Sequence, residues 1–222
     1  MADKAQSPSK TTPRARLAFT NTLKKPQKNQ QGADQWGCTL IIGNPADLQP
    51  KDRALLAELR TAAMDALRAK FGDKAFVAGK DGKPKVAPGY DWPFHDGKDK
   101  AEKYKGFSAG GIYINVNTQR QPSFGVASVR DGKVVVEDVD NAEKFYPGCF
   151  GRGKVSAWAY DNKRKGVKFT LDGIVWMGDG ERLDGGVGSV AQAFSEEEID
   201  PSELGFDAAA ADAEVDTADE FT

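Results

Sequence analysis

Histidine and cysteine are almost missing from this chain: there is one His (His95) and there are two Cys (Cys38, Cys149) in 222 residues. Two cysteines cannot form the disulfide framework of a small secreted domain or a four-cysteine zinc site, so two reduced thiols are expected. One histidine leaves no His/His metal pair, and a serine-histidine triad would have to rest on His95 alone. Neither a metal nor a cofactor is expected. Long apolar runs are missing too. No stretch approaches the ~20 residues of a membrane helix, and the opening MADKAQSPSKTTPRAR lacks the apolar stretch of a secretory signal. Basic residues are absent from Ser195 to Thr222, where 11 side chains are acidic. The remaining residues carry 31 basic and 22 acidic side chains, a net of +9 hidden beneath the overall −2. A basic body with an acidic tail points to a polyanion binder whose tail competes for the same surface.

With 24 Gly and 11 Pro, the composition favours a loop-rich β protein over a helical bundle. Residues 1–13 are rich in Ser, Thr, Pro and Lys and are expected to be flexible. Residues 14–23 alternate, with Leu17, Phe19 and Leu23 predicted inward and Arg14, Arg16, Thr20 and Thr22 outward. A basic loop with Lys24, Lys25 and Lys28 follows, then a strand over 36–42 ended by Gly43-Asn44-Pro45. Residues 50–71 form the one strong helix, with Pro50 in its first turn, Gly72 as its stop and an apolar stripe through Leu56, Leu59, Ala63, Ala66 and Leu67.

Residues 72–107 have no period, which is uncommon for so long a segment in a compact domain and is often functional. This insertion interleaves Tyr90, Trp92, Phe94 and Tyr104 with Lys98, Lys100, Lys103 and Lys105. Rings that stack on exposed bases and ammonium groups that follow phosphates are what sequence-tolerant binding of single strands requires. A loop pinned by its own aromatics has the same composition.

The β pattern returns with IYINVNT (112–118), in which Ile112, Ile114 and Val116 are expected to be buried and Tyr113 exposed. A hairpin follows around Asp131-Gly132. Strand 152–160 is the most informative. Arg152, Lys154, Ser156, Trp158 and Tyr160 lie on one face, and Gly153, Val155, Ala157 and Ala159 on the other. The turn Asp161-Asn162-Lys163-Arg164-Lys165-Gly166 leads to a last strand over 167–177, with Lys168 facing out and Gly173 marking a bulge.

These segments resemble a known family. FYPGCFGRGKVSAWAYDNKRKGVKFTLDGIVWMGDGERLDG (145–185) is similar to the signature region of phage-encoded single-stranded-DNA-binding proteins. PFHDGKDKAEKYKGF (93–107), ARLAFTNTLKKP (15–26) and the helix 50–71 fall in the family's order. The resemblance implies a mainly β fold, the five-stranded oligonucleotide/oligosaccharide-binding (OB) barrel, with one amphipathic helix and a long loop insertion over 14–194. A disordered acidic tail over 195–222 completes the domain plan. It also implies non-enzymatic binding of single-stranded DNA, with duplex as a possible further ligand, in phage replication, recombination or repair within the host cytoplasm. Stacking falls to Trp158, Tyr160 and one or more of Tyr90, Trp92, Phe94 and Tyr113. Phosphate contacts fall to Arg152, Lys154, Lys163, Arg164, Lys165 and Lys168, with Arg14, Arg16, Lys24, Lys25 and Lys28 as a second basic edge. Tails of related replication proteins end in an aromatic residue that docks replication enzymes. Here Phe221 is penultimate, after Asp219 and Glu220.

Two rival readings belong to other classes. Asp138, Asp140 and Glu143, or Asp179, Glu181 and Asp184, could serve a metal-dependent nuclease if they converged. A β-rich phage structural protein would assemble without DNA.

Overall fold

The computed structural model describes residues 6–79 and 82–184. The chain divides into a unit of residues 1–184 and a second of 185–222. All described residues belong to the first. The boundary expected at 194 and the tail with Asp219, Glu220 and Phe221 lie outside the described residues.

Alternating apolar side chains produce seven main strands: β1 (Ala15–Ala18), β2 (Asp34–Gly43), β3 (Ile112–Thr118), β4 (Ser123–Arg130), β5 (Lys133–Val139), β6 (Phe150–Asp161) and β7 (Lys165–Gly178). β1 pairs antiparallel with β2, and β2 with β3. β3 runs parallel to β7, which returns antiparallel to β6. β6 closes on β1 through Phe150↔Arg16 and Gly151↔Ala15. The result is a closed five-stranded barrel, β1-β2-β3-β7-β6, whose β6–β1 seam is limited to those two residue pairs and leaves the rest of the β6 edge available. Its interior is filled by Leu17, Leu40, Ile114, Val116, Val155, Phe169 and Leu171, all buried. The expected bulge is present: Lys154 pairs with Gly173 but Val155 with Leu171, which leaves Asp172 as the extra residue.

The helix spans Pro50–Phe71 as the stripe predicts, and Gly72 ends it at φ 65° with its N–H on the Arg68 carbonyl. Leu56, Leu59, Ala63 and Leu67 join the same core cluster as the barrel interior. Asp52 in the first turn and Arg68 and Lys70 in the last suit the helix dipole. The hairpin β4–β5 hangs beside β7, with β4 parallel to it from Ser123↔Gly173 to Val126↔Trp176. Its turn has positive φ at Asp131 and Gly132, as a tight type I′ turn requires.

Three expectations need correction. Residues 6–13 are not loose along their length. Lys10–Thr11 pairs with β6, Ser7 N–H donates to the Ala157 carbonyl at 2.8 Å, and Thr12 N–H donates to the Gly153 carbonyl at 2.9 Å. The backbone edge of β6 outweighs the polar composition. The first strand does not run to residue 23: it ends at Ala18, Phe19 turns at φ 54°, and a short helix Asn21–Lys24 follows. That turn reverses the expected sides, leaving Phe19 41% exposed and Thr20 buried. The insertion is also not irregular throughout. Phe76–Ala78 pairs with Pro84–Val86, Tyr90–Asp91 lies beside β7, and Phe94–Asp96 pairs with β3.

Candidate nucleic-acid interface

The strand pairings place one polar row across the outside of the barrel. Thr39 on β2 faces Asn115 on β3, and the Thr39 hydroxyl donates to Asn115 Oδ1 at 2.7 Å. β3 and β7 are in register at Val116↔Phe169, so Lys168 falls beside Asn115. Lys168 in turn faces Trp158 on β6, with its Nζ 4.9 Å from the indole ring. A second row runs Gly37, Asn117, Thr170, Ser156. A cleft of about 260 Å³ opens on the β2–β3 part of this face, lined by residues including Phe19, Gln27, Lys28, Trp36, Thr39, Asn115 and Asn117.

At one end the insertion covers the face. Tyr113, expected to be exposed, is buried there because His95 stacks on it at 5.0 Å and Phe107 meets it edge-on at 5.2 Å. Lys100 reaches into the same cluster, its Nζ 4.7 Å from the Phe19 ring and 4.9 Å from Tyr113. Burial lowers the pKa of Lys100, and burial followed by the Lys100 charge lowers that of His95. Phe19 and Tyr104 pack edge-on at 5.1 Å and remain among the exposed large hydrophobic side chains. Lys98, Lys103 and Lys105 are exposed on the same segment.

The β6–β7 hairpin is only partly free. Trp158 and Tyr160 are half-buried neighbours, with centroids 6.5 Å apart. The Tyr160 hydroxyl donates to Asp91 Oδ2 at 2.6 Å, and Arg164 pairs with the other Asp91 oxygen. Burial and then the Asp91 carboxylate push the Tyr160 phenol above its ordinary range, while burial lowers the Lys168 pKa. Lys163 is exposed, and Lys165 lies 3.7 Å from Asp161. Lys154 is exposed, with Nζ 3.5 Å from Thr11 Oγ1.

Arg152 does not face solvent. Its Nη2 pairs with Asp52 of the helix at 2.7 Å and its Nη1 donates to the Thr12 carbonyl at 3.2 Å. On the second edge, Arg16 donates to the Gly148 and Glu181 carbonyls, and Arg14 lies 3.7 Å over the Phe150 ring. Lys24 and Lys25 are exposed, and Lys28 is paired with Asp34 at 2.7 Å.

Tyr90, Trp92 and Phe94 pack against the main core rather than projecting from the insertion. Tyr90 meets Phe71 at 5.1 Å, and Phe94 contacts both Trp92 and Phe169. They pin the loop to the barrel and helix. Gly166 makes the docking possible: a Cβ there would lie 2.5 Å from the Asp91 carbonyl and 2.7 Å from its nitrogen. Gly166→Ala should therefore push segment 90–91 away at a cost of about 1–3 kcal/mol, the usual range for overpacking. Denaturant melts check the cost. Ultraviolet titration should show the Tyr160 phenol falling toward its ordinary range as Asp91 is lost; an unchanged titration would mean the segment stays in place.

A family model described as the ssDNA-binding protein of Enterobacter phage Enc34 matches residues 10–204. The chain belongs to this family. Protein p50 of Acyrthosiphon pisum secondary endosymbiont phage 1 is 27% identical over 182 residues, 82% of this chain and 89% of the relative. The single-stranded DNA-binding protein from bacteriophage Enc34, solved in complex with ssDNA, aligns at TM-score 0.53 and 19% identity, covering 78% of this chain and 87% of that one. The single-stranded DNA-binding protein gp2.5 of bacteriophage T7 aligns at TM-score 0.51 and 15% identity, covering 87% and 98%. At these identities the structural likeness establishes the OB barrel. The family itself is one of binding proteins, not enzymes.

The acidic residues of the nuclease reading do not converge. Among the described residues no group of three or more His, Cys, Asp or Glu side chains is placed to hold a metal. The Asp179 carboxylate accepts the Tyr146 hydroxyl at 2.9 Å, Glu181 pairs with Arg16, and Asp184 pairs with Arg182. No helix among the described residues is long and apolar enough to cross a membrane.

Sequence reasoning overlooked Phe19, Trp36, Thr39, Asn115 and Asn117 as lining residues of the face. For the two asparagines the signal was available, because alternation in IYINVNT already put them outside. For Phe19 there was none: its exposure depends on one positive φ.

Proposed function

We propose that this chain binds single-stranded DNA without catalysing a reaction and largely without regard to sequence, in phage DNA replication, recombination or repair inside the host cell. The observation that carries the proposal is the row Thr39, Asn115, Lys168, Trp158 across the outside of a closed OB barrel. The exposed Asn115, a cation and a ring follow one another there, with the buried Thr39 holding Asn115 by a hydrogen bond, beside the cleft that Phe19 borders. A base stacks on an exposed π face whatever its identity, while phosphates meet lysines, so this combination is tolerant of sequence. Trp158 and Phe19 are the proposed stacking residues. Lys154, Lys163 and Lys168 are the proposed phosphate contacts, with Lys24, Lys25, Lys98, Lys103 and Lys105 on the flanks. The half-buried positions of Tyr90, Trp92 and Phe94 favour a supporting role for them. The acidic segment 195–222 would compete with DNA for the basic face and dock replication proteins through its end. Duplex DNA would be held more weakly, through phosphates alone.

Titration with a poly-thymidine oligomer at two salt concentrations, beside a duplex control, tests the reading through tryptophan fluorescence. The expected result is strong, salt-sensitive quenching by the single strand and weaker quenching by duplex. Binding without quenching would leave only phosphate contacts, and no binding would refute the proposal. Deleting residues 195–222 should raise DNA affinity at low salt; an unchanged affinity would rule out the competition.

A further inference from the structure

β5 ends the sheet order, and among the described residues no strand pairs with its outer edge. Proteins usually protect such an edge with proline, a bulge or an inward-pointing charge. β5 has neither proline nor bulge, and its charges, Lys133, Glu137 and Asp138, flank a central Val134-Val135-Val136 that carries none. It reads K-V-V-V-E-D-V and pairs with β4 without a slip from Arg130↔Lys133 to Phe124↔Val139. Val134 is 71% and Val136 52% exposed, and Val129, paired with Val134 across the hairpin, is 72% exposed. The two-residue turn makes Arg130 and Lys133 the pair that exchanges hydrogen bonds. Strand alternation then directs the backbone groups of Lys133, Val135 and Glu137 toward β4, and those of Val134 and Val136 toward the open edge.

We infer that β5 pairs antiparallel with β5 of a second copy of this chain, about a two-fold axis through Val135. In that register Val134 and Val136 of each copy exchange backbone hydrogen bonds with Val136 and Val134 of the other. Val135 meets its own counterpart as a non-hydrogen-bonded pair, where side chains lie closest. Lys133 meets Glu137, so the stretch K-V-V-V-E is complementary to itself in both shape and charge. Arg130 already lies 2.6 Å from Glu137 within the hairpin, so each Glu137 acquires a second cation. Centring the pairing on Val136 instead sets Val134 against Asp138 and Val135 against Glu137. Charge complementarity therefore selects Val135 as the axis. The interface is isologous, as two-fold dimers require. A ladder this short is small beside the roughly 1,600 Å² of a standard interface, so the dimer forms in a concentration-dependent way.

Full-length Val135→Cys protein under mild oxidation tests the register. A disulfide-linked dimer is expected on a non-reducing gel. Asp131→Cys should stay unlinked, because the two-fold axis places residue 131 beside Val139 of the other copy. Native Cys38 and Cys149 do not compete: both are buried and free, and burial pushes the Cys149 thiol up to about 11 and the Cys38 thiol higher. Val136→Pro removes an N–H that faces the open edge and leaves the hairpin's own bonds in place. It should abolish the rise of sedimentation mass with concentration while leaving the circular dichroism spectrum unchanged. Three results would overturn the inference. One is a monomeric wild type with an unlinked Val135→Cys variant. Another is a wild-type dimer indifferent to Val136→Pro. The third is a cross-link that appears only once residues 195–222 are removed, which would assign the edge to the chain's own C-terminal segment.

Discussion

Asp52→Ala should lower folding stability by about 3–5 kcal/mol, the cost of leaving a buried charge without its partner. Asp52 and Arg152 have side chains only 12% and 19% exposed and meet at 2.7 Å. Asp52 also accepts the Arg14 backbone N–H at 3.2 Å, and Arg152 holds the Thr12 carbonyl. The pair thus ties the start of the helix, the N-terminal segment and β6 together. Denaturant unfolding with a common slope reads the loss. The double variant Asp52→Ala/Arg152→Met should recover most of it, since neither charge is then stranded. The same variant decides the role of Arg152 in DNA binding. If Arg152 only supports the fold, the double variant keeps both its affinity and its salt slope. A slope reduced by about 0.7, the single-strand value for one phosphate contact, would restore Arg152 to the interface.

Trp158→Ala should weaken single-strand binding by about 1–3 kcal/mol, roughly 5- to 150-fold, if its ring stacks on a base. Trp158→Phe, which keeps a π face, should retain most of the affinity. Lys168→Ala should reduce the salt slope by about 0.7 and free the indole from the cation 4.9 Å away. Trp92→Ala gives the contrast. Trp92 packs on Phe94 and against the core, so its loss should lower stability with little direct effect on DNA affinity. Equal affinity losses in the two alanine variants would mean that the OB face is disturbed only through folding. An unchanged affinity in Trp158→Ala would move the stacking to Phe19.

Much of the architecture was legible residue by residue. The stripe of Leu56, Leu59, Ala63 and Leu67 between Pro50 and Gly72 marked the helix, because a period near 3.6 and these end signals have few other solutions. Alternation placed Val155, Ala157 and Ala159 inward and Lys154 outward, since a strand has no other way to separate its side chains. The Asp131-Gly132 turn was equally plain, because its positive φ values demand such residues.

The use of each outward residue was settled by long-range contacts. Arg152 and Lys154 share a face in β6, but only the helix brings Asp52 to Arg152. Tyr113 alternates outward and is buried because the preceding insertion folds His95 and Phe107 over it. Tyr90 and Trp92 have the composition of a stacking loop, but the core of the helix and barrel takes up their rings. Phe19 alternates inward and is released by a single backbone turn. Periodicity, turn chemistry and charge balance are local or summed properties, so the chain itself specified strands, helix, basic body and acidic tail. Which cation is spent on a carboxylate, and which ring faces water, depends on partners distant in sequence. Only the closed barrel, with its helix and docked insertion, brings those partners together.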